Sequence, residues 1–530
     1  MRRGLRCVLA AWFLSACSAA QALTSAQEII LFGAPGWVLP GARVDLNFAT
    51  GQYWTPGAAG ALTNTRASTE TCVDASGVWH QAASGQNCVT NLGVGSWEAR
   101  TNGIRNNTMQ GAVAGSPGTL PNNWVIGFNG NGLSSSIIGS GVQNGINYVD
   151  ININGTAVNA NQIYIGLESA TNIAAAYGQT WTASSFMAFV GGVTTNISSV
   201  SLGINEREGG NGGTGNFITY IAVGSLPSSA SGKPYVLSGT FTDPLATYAW
   251  PILGINPAST GVFNFTLRVG LPQLELNPNI PASVASAVVT AGGTGGTNGT
   301  NVNLTVTGGT CSTQPVIQGT IAGNALTAIT GYGTPGACSV LPPSPATVTG
   351  NSLSGATVTL TPTNNAALAF ATPPILTSGS AATRAADNIS LATQPCANPS
   401  VLLTATPAAP TGYPATQRAA IVNNASNGLA LDRGGTGAAL LTTANIGGNN
   451  YAAQPAGSWA QSALGKLSTA YAPNTVSGVF NNGTVVSTAT TGAMGGVTSL
   501  NIGDDKTGAS QFNGVISRAA VACGSSLLRN

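Results

Sequence analysis

Phe263-Asn-Phe-Thr-Leu-Arg-Val269 alternates without a break. Phe263, Phe265, Leu267 and Val269 fall on one face, and Asn264, Thr266 and Arg268 on the other. This period of two is that of a strand with one face on a core and one toward water. Outward along the chain the pattern repeats in short runs: Trp124-Val-Ile-Gly-Phe128, Asn147-Tyr-Val-Asp-Ile-Asn-Ile153 and Gln162-Ile-Tyr-Ile165. Clusters of Gly, Asn and Ser separate these runs, and no long segment has a helical period. Many short strands divided by turn residues predict an all-β protein of sandwich or jelly-roll type.

Three stretches follow. Residues 28–280 hold most of the aromatics and are expected to form an N-terminal jelly-roll sandwich. Residues 282–376 are Gly/Thr-rich and almost uncharged, with brief alternations such as Val302-Asn-Leu-Thr-Val306 and Thr357-Val-Thr-Leu-Thr361, which suit a small Gly-rich β-module better than a tether. Residues 382–530 return to short strands, including Ala419-Ala-Ile-Val-Asn423 and Gly428-Leu-Ala-Leu-Asp432. Asn481-Asn-Gly483 is a hairpin signal there. This stretch is expected to be a second sandwich with Ile421, Leu429, Leu431, Val479, Leu500, Ile502 and Val515 facing inward.

Composition excludes several functions. The 530 residues include 71 glycines, and only 6% are charged. Three lysines (Lys233, Lys466, Lys506) cannot build the cationic surface that nucleic acid demands. The single histidine, His80, rules out a histidine-rich metal site. With 43% hydrophobic residues, charge-driven disorder is excluded as well.

The first 22 residues read as an export signal. Met1-Arg-Arg-Gly-Leu-Arg6 is a basic start, and Cys7 to Ala16 is an apolar stretch too short to span a bilayer. Ala20-Gln-Ala22 offers cleavage before Leu23. Leu14-Ser-Ala-Cys17 offers the alternative of a lipobox, with lipidation at Cys17. No other segment reads as membrane-spanning. Six cysteines remain beyond the leader: Cys72, Cys88, Cys311, Cys338, Cys396 and Cys523. None is in C-x-x-C spacing, which disfavours zinc. An even count in an exported chain reads as disulfides. By region they group as Cys72 with Cys88, Cys311 with Cys338 and Cys396 with Cys523, although spacing alone leaves the connectivity open.

Few residues could carry chemistry. Glu206-Arg-Glu208 is the one E-x-E, and it runs into a glycine loop, as a solvated strand end would. A glycosidase needs two carboxylates flanking the bond. His80 has no serine elbow beside it. Catalysis is therefore not expected. Binding suits the composition better, because sugars are held by aromatic faces and side-chain amides. Trp54, Trp97, Trp124 and Trp181 are the candidate platforms. Asp504-Asp505 after Gly503 offers hard oxygen ligands for Ca²⁺, and no other cofactor is expected.

Val44-Asp-Leu-Asn-Phe-Ala-Thr-Gly-Gln-Tyr-Trp54, Thr65-Arg-Ala-Ser-Thr-Glu-Thr71, Asp74-Ala-Ser-Gly-Val-Trp79 and Glu98-Ala-Arg-Thr-Asn102 occur in that order. So do Gly145-Ile-Asn-Tyr-Val-Asp-Ile151, Gly178-Gln-Thr-Trp-Thr-Ala183 and Arg268-Val-Gly-Leu-Pro-Gln-Leu-Glu275. This order resembles phage and prophage structural proteins of the head-spike-fiber type, whose domain looks like a carbohydrate-binding-module jelly roll. The C-terminal stretch, with Thr383-Arg-Ala-Ala-Asp387, Leu500-Asn-Ile-Gly503 and Phe512-Asn-Gly-Val-Ile516, resembles concanavalin A-like, laminin-G-type sandwiches. The resemblance implies binding to a glycan or cell-surface polysaccharide. Alternatively it implies a fiber or decoration protein of a phage particle, which would be a homo-oligomer, and more remotely a glycan depolymerase. In laminin-G-type sandwiches the chain ends meet, which implies that Cys396 and Cys523 bracket neighbouring terminal strands. The leader and the cysteines are unusual for a virion protein and favour a prophage-derived gene recruited for export to the periplasm, cell surface or medium.

Overall fold

A computed structural model of the chain describes residues 34–209, 213–220, 226–424, 426–434, 440–504 and 510–528. The leader, with Cys17, lies outside the described residues. The protein is all-β, and among the described residues the paired strands run antiparallel.

The alternation at 263–269 is the inner row of a jelly-roll sandwich. Strand Gly261–Leu276 is the central member of a five-stranded sheet, between Ile146–Ala157 and Thr180–Val193. Phe263, Phe265, Leu267 and Val269 are buried against Val200, Leu202, Ile204, Leu253 and Ile255 of a facing six-stranded sheet.

The middle stretch is a six-stranded sheet running Val284–Thr294, Leu353–Pro362, Ala346–Gly350, Gly299–Thr307, Val316–Ala322, Ala325–Thr334. It curls until its outer strands approach, and the Ala287 N–H donates to the Tyr332 hydroxyl at 3.0 Å. Closure needs glycine at 292, where a Cβ would come within 2.8 Å of the Leu326 carbonyl oxygen. Leu304, Val306, Ile317, Ile321, Val348 and Val358 fill the interior.

The C-terminal stretch forms the second sandwich, but not alone. Strand Ala42–Asn47 lies beside Gly514–Cys523, and Gly93–Ser96 pairs with the other end of that strand. Val44, Leu46, Phe48 and Val94 are buried in one core with Leu403, Leu429, Leu431, Leu500 and Ile502. By pairing, then, residues 42–96 group with the C-terminal sandwich and not with the jelly roll to which the sequence reading assigned them. The reason is physical: the alternation of Val44, Leu46 and Phe48 states which face is buried, not which strand lies opposite. The jelly roll and the curled sheet are thus inserted into the second sandwich. The chain leaves along Arg100–Asn102 and returns along Ala382–Arg384, and these two strands pair directly.

The six cysteines form Cys72–Cys88, Cys311–Cys338 and Cys396–Cys523. Cys396 ends a strand of the seven-stranded sheet and Cys523 ends a strand of the nine-stranded sheet, so the third bond ties the two sheets of the sandwich together. The first and last strands of this stretch are therefore not side by side: Gly514–Cys523 is flanked on one edge by Ala42–Asn47 and Gly93–Ser96 and on the other by Pro399–Pro407, with Pro399 opposite Cys523. Three inward assignments change: Val479 stands opposite Ser468 on the other face, because Val476 and Phe480 take the core phase of that strand. Ile421 points outward because Ala420 and Val422 take the core positions, and Val515 packs against a smaller cluster with Trp97, Phe370 and Tyr413.

Candidate functional site

Charge is scarce in this chain and most of it is buried. Every described carboxylate except those of Asp74 and Glu208 is buried. The densest group sits where the insertion joins the sandwich. Arg66 bridges Glu70 and Asp387 at 2.6 and 2.5 Å. Glu98 accepts from Arg100 Nε at 2.6 Å and from the Tyr413 hydroxyl at 2.8 Å. Arg100 reaches Asn277 Oδ1 at the end of the jelly-roll strand, 2.8 Å away. Burial first, then Glu98, pushes the Tyr413 hydroxyl well above its ordinary range. This network joins two units and exposes nothing to a ligand.

The residues singled out from sequence are dispersed. Trp97, Trp124 and Trp181 are buried in cores and present no open face. Trp124 Nε1 donates to the Asn106 carbonyl at 3.0 Å, and Trp97 packs in the cluster with Phe370 and Tyr413. Their burial follows from their area, since large aromatic rings contribute most to stability inside. Trp54 is half-buried on the edge strand Gln52–Trp54. Asp504 is fully buried, because Gly503 turns the chain inward and accepts a hydrogen bond from Ser96 Oγ at 2.9 Å. Asp504 thus lies inside the protein, and Asp505, the other residue of the expected Ca²⁺ pair, lies outside the described residues. Among the described residues, no three His, Cys, Asp or Glu side chains group as metal ligands.

Glu206 is likewise buried, with Oε2 accepting the N–H groups of Thr242 and Asp243 at 3.0 and 2.7 Å. Burial raises its pKa, and those hydrogen bonds oppose the rise. His80 pairs with Asp74 at 2.9 Å on the solvent side of a hairpin whose other face is buried, which lowers the Asp74 pKa.

The open site lies elsewhere, on the outer face of the seven-stranded sheet. Strands Gln417–Asn423, Asn427–Arg433, Leu440–Ile446 and Asn449–Ala453 are consecutive neighbours there. Leu429, Leu431, Thr442 and Ala444 point to the core, so Gly428, Ala430, Thr443 and Asn445 point out. Small residues on the second strand between taller ones on its neighbours make a furrow of about 620 Å³, within the range of small-ligand sites. Asn423, Asn424, Asn427, Asn445 and Asn450 supply most of its polar lining. Asn423 Oδ1 accepts from Ser499 Oγ and Asn501 Nδ2, leaving its NH₂ for the furrow. Asn445 Nδ2 donates to Asn450 Oδ1 at 2.8 Å, leaving one acceptor and one NH₂. At the far end Arg418 is held by Asp432, Nε to Oδ1 at 2.7 Å.

Sequence reasoning missed these residues. The signal was present as the outward phase of the strands, where amides and small residues alternate with the inward leucines. It was hidden because Ile421 was assigned to the core.

No family model matches the chain, and no curated protein does. A solved structure of an arabinose-bound GH51 α-L-arabinofuranosidase overlaps 35% of this chain and 28% of that one, at 14% identity and a TM-score of 0.24. An overlap at that score carries no argument about fold or activity.

Proposed function

We propose that the protein is an exported, non-enzymatic, multi-domain β-protein of prophage origin that binds glycan at a surface, and that the furrow on the second sandwich is its binding site. The carrying observation is the furrow's lining: amides, hydroxyls and backbone, with one cation already paired. Such groups match sugar hydroxyls, which donate and accept without charge. No carboxylate pair faces the furrow among its lining residues, so the lining has no acid and base to break a glycosidic bond. Three disulfides suit an oxidising compartment, and no helix of the described residues is long and apolar enough to cross a membrane.

The test is a glycan array probed with the chain lacking its first 22 residues. Selective binding is expected. The double variant Asn423→Ala/Asn445→Ala should lose about tenfold or more in affinity and cost about 1–3 kcal/mol of stability, because Asn423 Oδ1 is the acceptor for Ser499 Oγ and the buried Asn501 amide; Asn445→Ala alone separates the loss of affinity from the loss of stability. Binding unchanged in the double variant would place the site elsewhere. Release of reducing ends from any bound polysaccharide would refute the non-enzymatic reading.

A further inference from the structure

The furrow has a graded floor. Cα partners across the strands define three rows. The first is Asn423, Gly428, Asn445 and Asn450. The second is Ile421, Ala430 and Thr443. The third is the pair Arg418 and Asp432. Rows two residues apart along a strand are separated by about 7 Å. Amides thus lie at one end, an apolar patch in the middle and a neutralised ion pair at the other end. Ile421 is 9% exposed, and the surface it keeps opens into the furrow.

We infer that the furrow selects glycans built from uncharged 2-acetamido sugars. This rests on the glycan reading above and narrows it. An acetamido group carries one N–H donor, one carbonyl acceptor and one methyl. The amide row offers the complementary acceptor on Asn445 and donors on Asn423 and Asn450. The methyl then rests on Ile421 and Ala430. A 2-hydroxyl in its place would set a polar group on Ile421 and Ala430, where the Thr443 hydroxyl, whose proton goes to Asp432 Oδ2 at 3.2 Å, offers an acceptor at one side only, which is costly. The ligand is uncharged because Arg418 is committed to Asp432 through Nε and Nη2, at 2.7 and 3.2 Å, so the furrow brings no net charge. No aromatic side chain is among the lining residues, so stacking on a pyranose face is not the basis of selection.

The experiment is calorimetric titration of the chain lacking its leader with two β-1,4-linked tetrasaccharides, one of N-acetylglucosamine and one of glucose. They differ at the 2-substituent alone. The acetamido tetramer should bind about tenfold or more tightly. Ile421→Asn should erase the preference. Asn445→Ala, at a strand position on the open face, should weaken the acetamido tetramer and serves if the first variant fails to fold, as judged by near-ultraviolet circular dichroism. Equal binding of the two tetramers overturns the selection and leaves glycan binding standing. A preference untouched in a folded variant overturns the furrow as its origin. Binding of neither tetramer overturns the inference, and the array then decides whether glycan binding fails with it.

Discussion

Glu70 shows what the scarcity of charge does to a single residue. It is buried with Asp387 on the same arginine. Burial first, and the Asp387 carboxylate second, push its pKa from 4.5 up to about 8, while Arg66 and Arg384 pull the other way. A carboxyl raised on folding favours the folded state while protonated and loses that contribution as pH rises through its folded value. Thermal stability should therefore fall between about pH 5 and pH 9, and Glu70→Gln should flatten that slope. A parent protein whose melting temperature rises across this window would contradict the assignment. None of this was legible in sequence, because the meeting of Arg66 with Asp387 spans more than 300 residues.

Elements were read more fully. The strand at 263–269 was recognised together with its buried face, since a period of two encodes orientation directly. Partners were not, since nothing local in Val44-Asp-Leu-Asn-Phe48 names Gly514–Cys523. The hairpin of Glu70–Val73 and Trp79–Ala82 is a further case. It belongs to the second sandwich through Arg66 and Glu70, yet Trp79 packs on Phe186 of the jelly roll with ring centroids 5.8 Å apart. The contact needs glycine at 145, where φ is +75° and a Cβ would lie 2.0 Å from the Trp79 carbonyl oxygen. Gly145→Ala should cost about 1–3 kcal/mol and shift tryptophan fluorescence. Gly130→Ala, at φ +70° with open space around it, isolates the backbone strain alone. Equal losses in the two variants, read from denaturant midpoints, would show that Trp79 docking contributes nothing.

For the whole molecule, three consecutive stretches were legible but their nesting was not. The second sandwich takes Val44, Leu46, Phe48 and Val94 into its core from the front of the chain. Residues 382–530 expressed alone should therefore fail to fold cooperatively, since they lack four buried apolar side chains and leave a strand edge bare, a template for aggregation. A chain in which residues 103–381 are replaced by a tight turn joins Asn102 to Ala382, which are direct partners, and should keep the sandwich. Circular dichroism with a thermal melt distinguishes the two; a sharp, reversible melt of 382–530 alone would refute the shared core.

The pairing of Ala42–Asn47 with Gly514–Cys523 also decides how tension would travel. Ala42 stands opposite Ala522, so pull applied through the two ends of the described chain enters on adjacent antiparallel strands. It would peel them apart one rung at a time. The jelly roll and the curled sheet hang beyond the paired strands Arg100–Asn102 and Ala382–Arg384, off that line. They stay unloaded until the sandwich itself has opened.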